Sequence, residues 1–194
     1  MHNNHTNFAK ILHWGFILLY AYGIFKQVDD ISELENSQLL IFEVIFALIF
    51  LIIVIIRFFY MRQFEVFLGA TETIPLAHKY LAKIVHWAMY FSFILLPLSG
   101  LAIAGLYSQG IKDGPLQVIV LGLHEFSASL SYVLIIIHVG AVIYSRIKGE
   151  GVWSSMAPFL KEKGPNENVI IKKISTMENE LYYKIEEFFK AKRE

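Results

Sequence analysis

The chain has 194 residues, of which 56% are hydrophobic and 18% charged, with a mean hydropathy of +0.51 and no cysteine. Soluble domains carry roughly a quarter charged residues, so this composition points into a membrane, and a formal net charge of +0 gives no electrostatic reason for a nucleic-acid partner. Without cysteine there can be no disulfide, thiolate metal site, iron–sulfur cluster or thioether-attached haem.

Four apolar segments follow in chain order, at 9–25, 38–60, 81–107 and 116–146. Each is near or above the ~20 residues that a helix needs to cross a bilayer. No small-residue cleavage site follows the first, so it is expected to be a retained span. The stretch from Lys26 to Ser37 is acidic, with Asp29, Asp30, Glu33 and Glu35. The second connector and its borders are basic, with Arg57, Arg62, Lys79 and Lys83. The third and fourth segments are joined by SQGIKDGP (108–115), where Gly110, Gly114 and Pro115 break the helix. Arg146 and Lys148 follow the fourth segment. Basic residues on alternate sides place both termini in the cytoplasm, and four spans satisfy that parity. Trp14, Tyr60, Trp87, Tyr107 and Trp153 sit where interfacial belts are expected. Pro97 is expected to kink the third span by removing a backbone donor.

Pro158, Gly164 and Pro165 mark 149–167 as a linker. Beyond it, in 168–194, Ile170, Ile174, Met177, Leu181, Ile185 and Phe188 recur at three- and four-residue steps, which predicts an amphipathic helix. That helix is expected to lie on the inner leaflet, to pack on the cytoplasmic side of the bundle, or to dock a partner. The fold expected is all-α: a transmembrane four-helix bundle over 8–148 with a C-terminal cytoplasmic amphipathic helix.

Four histidines lie inside the apolar segments: His13, His86, His124 and His138. His124 and His138 are fourteen residues apart, close to four helical turns, so both face one way, ~21 Å apart along the axis at ~1.5 Å per residue. AKILHW (9–14) and AKIVHW (82–87) open the first and third spans alike and set His13 and His86 at equal depth, level with His138. Ionisable side chains within a bilayer mark function by default. A haem between helices needs axial nitrogens, a slot and cations for its propionates. Arg57, Lys83 and Arg146 are the cations at that edge, and Gly15, Gly23, Gly100, Gly105, Gly122 and Gly140 thin the helix walls. His138 is assigned as a ligand, with His13 as its partner and His86 the runner-up; His124 is the candidate for a second, outer haem. His2 and His5 receive no role, and His78 is expected to be an interfacial residue rather than a ligand. The rival reading is a haem-free transporter or scaffold, against which stands the scarcity of polar groups in the spans other than Glu43 and Glu125.

These residues resemble the bacterial cytochrome b561 family, whose relatives include the cytochrome b subunits of nickel hydrogenases. The matching pieces are LHW (12–14), HWAMYFSFILLPLSG (86–100), Arg57 at the end of the second span, and LHEFSASLSYVLIIIHVGA (123–141). The resemblance covers 8–148. It implies a four-helix membrane bundle in the bacterial inner membrane holding b-type haem with two histidine ligands. It also implies electron exchange between a quinone such as ubiquinone and a partner, either a dehydrogenase or a soluble cytochrome. Superoxide oxidation with quinone as acceptor is the enzymatic alternative. Two departures matter. Where the family carries a histidine in the outer part of the second span, this chain has Glu43, so one haem is expected and a second is open. The outer haem is absent, or is held with Glu43 as an unusual ligand or none, or draws on another group; Glu43 is otherwise a hydrogen-bond partner of His124 or a proton-handling group. Where some members have a histidine pair after the last ligand, this chain reads Ser145 and Arg146, which weakens the superoxide alternative.

Overall fold

The computed structural model describes residues 5–26, 31–64, 67–70 and 74–191; His2, Asp29 and Asp30 lie outside them. Among these residues every regular element is helical. The elements are α1 (Asn7–Phe25), a 3₁₀ turn (Ile31–Glu35), α2 (Ser37–Met61), α3 (Leu76–Ser108), α4 (Pro115–Lys148), the short α5 (Val152–Met156) and α6 (Val169–Ala191). The first four helices are each long and apolar enough to cross a membrane.

Their lengths differ with consequence. At ~1.5 Å per residue, the 19 residues of α1 reach ~28 Å, about one hydrocarbon core, whereas the 33 of α3 and 34 of α4 reach ~50 Å. The helical period therefore continues past the apolar segments read from sequence. α3 starts five residues before position 81 and brings His78 and Lys79 into its first turn; α4 runs on to Lys148. Large apolar side chains on these helices stay exposed, among them Leu18 at 71% and Ile136 at 72%. In water that would be prohibitive; against lipid tails it is neutral.

The chain divides into two compact units. One comprises residues 11–62 and 88–135. Its core is aromatic: Phe16 and Tyr20 of α1 meet Phe50 of α2 and Phe93 of α3, with Phe16 and Phe93 ring centres 4.8 Å apart. Small hydroxyls let α3 and α4 approach closely. Ser92 Oγ donates to the Ser127 carbonyl at 2.7 Å, and Ser92, Ser127 and Ser131 are fully buried. The Tyr20 hydroxyl and Ser131 Oγ share a 2.6 Å hydrogen bond. Leu34 of the 3₁₀ turn packs with Ile103 and Tyr107, so Tyr107, expected in an interfacial belt, is buried instead. Asn36 caps α2, its side chain accepting from the amides of Gln38 and Leu39.

The α3–α4 connection is a Schellman turn. Gly110, at φ +82°, lets its amide reach the Tyr107 carbonyl while the Ile111 amide reaches Leu106. Pro97 lies within an uninterrupted α3.

The other unit comprises 1–10, 63–87 and 136–194. A second Schellman turn ends α4: the Gly149 amide donates to Arg146 and the Glu150 amide to Ser145. Here glycine is required twice, by φ +77° and because a Cβ would lie 2.0 Å from the Gly164 carbonyl oxygen. The returning chain covers the orphan carbonyls of α4, with the Asn166 amide on Lys148 O and Asn166 Nδ2 on Ile147 O, both at 2.9 Å. Trp153 Nε1 donates to the Phe159 carbonyl within this linker region.

Candidate functional site

The short α3–α4 turn fixes which residues face each other. Ser99 lies nine residues before the end of α3, and His124 nine after the start of α4. His124 Nδ1 duly meets Ser99 Oγ at 3.0 Å and the Leu96 carbonyl at 3.1 Å. The Ser99 hydroxyl itself donates to the carbonyls of Leu95 and Leu96. Its oxygen therefore accepts from His124, which puts the imidazole proton on Nδ1 and a lone pair on Nε2. Gly100 makes room for this ring, since a Cβ there would sit 3.4 Å from His124 Cε1.

In the unit of residues 1–10, 63–87 and 136–194, the same register brings His86 and His138 into contact. Their ring centres are 5.1 Å apart and the rings are edge to face at 79°. His86 Nδ1 donates to the Ala82 carbonyl one turn back, at 2.7 Å. That leaves Nε2 as its acceptor nitrogen, the arrangement common in metal-ligating histidines. His86 thus packs edge-on against His138.

His13 belongs to the unit of residues 11–62 and 88–135, and its partner there is Arg57. Arg57 Nη2 lies 2.7 Å from His13 Nδ1. Arginine only donates, so His13 Nδ1 accepts. The guanidinium is 8% exposed and rests on the rings of Phe16, at 4.9 Å, and Tyr90, at 5.7 Å. Its Nε is buried without a hydrogen-bond partner among the described residues. A buried cation with an unmet donor is suited to an anionic group such as a propionate.

Glu43 is engaged in an ion pair with Lys26, whose ammonium also lies 4.2 Å from the centre of the Phe46 ring. Nδ1 of His124 bonds to Ser99 and Leu96, not to Glu43. Of the other edge cations, Arg146 donates to the Leu160 carbonyl and covers the Trp153 ring. His78 stacks on Tyr182 at 4.7 Å, and His5 is buried against Phe64, so both are packing residues of their unit. Sequence reasoning missed Ser99, which the hairpin register alone would have set opposite His124.

Among the described residues no three His, Asp or Glu side chains converge on a metal-ion cage. The imidazoles occur singly and in one pair, the donor set expected when a macrocycle supplies the other nitrogens. Within its own unit, each of these groups suits haem: the paired imidazoles of His86 and His138 as nitrogen donors, and the buried Arg57 cation as a propionate partner.

The prokaryotic cytochrome b561 family model matches residues 4–159. The chain belongs to that family. No curated protein and no solved structure matches it. Membership makes this chain a multi-pass bacterial membrane cytochrome of b type that serves electron transport. The family implies haem b, and quinone and a respiratory chain fit it.

Proposed function

We propose that this cytochrome carries single electrons between a donor, a dehydrogenase or a soluble cytochrome, and the quinone pool of the bacterial inner membrane, with both termini in the cytoplasm. The observation that supports it best is the His86–His138 contact between two membrane-spanning helices of a b-type cytochrome. In this reading the chain holds one haem b, with His138 and His13 as iron ligands, His86 positioning the His138 ring and Arg57 neutralising a propionate. Bound haem supplies reversible one-electron chemistry at iron. The chain's part is to bind and orient it.

His13 carries a condition. To give Nε2 to iron it must hold its proton on Nδ1, where Arg57 now donates. Arg57 would then hold a propionate, through its unmet donor, in place of His13. Glu43 is no ligand in this reading, because Lys26 holds it. His124 then hydrogen-bonds across α3 and α4 rather than ligating a second haem.

Reduced-minus-oxidised spectra and the haem-to-protein ratio of the purified chain test the proposal. One b-type haem per chain is expected. His138→Ala and His13→Ala lose it; His86→Ala keeps it with a shifted midpoint potential; His124→Ala keeps it unchanged. No b-type absorbance in freshly isolated protein ends the reading. Loss of haem in His86→Ala with retention in His13→Ala transfers the second ligand to His86. Superoxide-dependent quinone reduction by the isolated chain distinguishes an enzyme from an electron-carrying subunit.

A further inference from the structure

α6 turns its polar side toward its own unit. Glu178, Tyr182 and Glu186 recur every four residues and make the contacts. Glu178 accepts from Lys148 Nζ at 2.8 Å and from the Tyr144 hydroxyl at 3.0 Å. Tyr182 stacks on His78, and Glu186 accepts from the Ala77 amide at 2.9 Å, capping the first turn of α3. The apolar stripe is left uncovered: Met177 is 60% exposed, Leu181 58% and Phe188 65%, with Ile170, Ile174 and Ile185 beside them. At ~100° per residue the stripe is centred roughly a quarter-turn or more away from the contact face.

The contacts fix where this helix runs. Over eight residues, ~12 Å of axis, it passes from the last turn of α4 to the first turn of α3. Neighbouring helices lie ~8–10 Å apart, so α6 crosses the ends of the two spans instead of running alongside them. Those ends leave the hydrocarbon core at the headgroup layer. The apolar surface of this unit continues up to them, with Ile84 of α3 64% exposed and Ile147 of α4 49% exposed. Lys173 and Lys184, eleven residues apart, share a side of α6 bordering the stripe, where their stems lie along apolar surface and their ammonium groups reach headgroups.

We propose that α6 is an in-plane membrane helix: its stripe of Ile170, Ile174, Met177, Leu181, Ile185 and Phe188 is seated in the headgroup–acyl boundary of the bilayer that the protein spans. Glu178, Tyr182 and Glu186 hold it at that depth, and Glu180 and Glu187 face water. The occupant of the stripe is phospholipid, and the polar tether sets which side of the helix meets it. The proposal stands apart from the haem assignment and is read without a haem signal.

The lack of native cysteine makes the test clean. Single cysteines at Ile174, Leu181, Glu180 or Glu187 in the full chain, reconstituted in phospholipid nanodiscs, take a nitroxide label. Collision with oxygen, which concentrates in lipid, is compared with collision with a water-soluble nickel chelate. The oxygen-to-nickel ratio is expected to be several-fold higher at 174 and 181 than at 180 and 187. Adding Leu181→Glu should lower the ratio at 174 several-fold. Equal ratios at all four positions place the stripe in water and overturn the proposal. Labels at 174 and 181 shielded from both reagents mean that protein, a second copy or another chain, covers the stripe, and overturn it as well.

Discussion

Gly149→Ala tests the tether that ends α4. The residue sits at φ +77° with the Gly164 carbonyl oxygen 2.0 Å from where a Cβ would be. Holding alanine in the left-handed region costs ~1–2 kcal/mol. The clash is with backbone, so residues 164–166 must retreat and strain the two Asn166 bonds to Lys148 and Ile147. Each is worth ~1 kcal/mol net. The sum is ~3–4 kcal/mol of local stability, and ~1.4 kcal/mol is a factor of ten. Amide exchange across 145–168, followed by mass spectrometry in nanodiscs, should therefore speed up by roughly 10²-fold or more, while exchange in 88–135 stays unchanged. Gly149→Asn should recover ~1 kcal/mol, because asparagine tolerates the left-handed region while keeping the clash. Exchange within threefold of the parent chain in Gly149→Ala would falsify the reasoning, since neither the dihedral nor the contact would then constrain the turn.

Three further outcomes are expected. Burial, reinforced by the Lys10 charge, lowers the His5 pKa from 6.5 to about 4. The folded form therefore binds its proton less readily than the unfolded chain, so the stability contributed is intact above pH ~6.5 and is lost as pH falls towards about 4. Exchange at residues 5–10 and 152–157 should rise over that window, and His5→Phe should flatten the rise. Tyr20→Phe removes the 2.6 Å bond to Ser131 and should cost ~0.5–1.5 kcal/mol, the range for interhelical bonds in membranes; an unchanged unfolding midpoint in detergent would show the bond to be worthless. Arg57→Leu should lower haem per chain several-fold, with Arg57→Lys intermediate, as read by a haem extraction assay; full occupancy in Arg57→Leu removes Arg57 from the site.

The four spans were legible because runs of apolar residues leave a helix in lipid as the only way to satisfy the backbone. Their ends were not, because hydropathy fades where a helix leaves the hydrocarbon while its hydrogen-bond ladder continues; that is how His78 came to lie in the first turn of α3. Helical period and the echo of AKILHW with AKIVHW picked out the histidines, and the short turn made the His86–His138 meeting computable by counting from it. Arg57 was noted as an edge cation, yet its bond to His13 depends on the register of α1 against α2 across a longer connector, which no local pattern fixes. Glu43 could be flagged from sequence but not paired, since Lys26 lies beyond the apolar part of α1 and looked like a loop residue. The amphipathic period of α6 was plain, but the direction of its apolar side was not. Period gives a stripe and says nothing of which face the rest of the chain holds.

The tight connection between α3 and α4 also constrains the path of the chain across the bilayer. Only the six residues from Gln109 to Gly114 separate the two helices, and even fully extended they reach about 20 Å, less than one bilayer core. The start of α4 therefore stays on the side of the bilayer where α3 ends, and the two helices can only form one hairpin, closed along its serine seam.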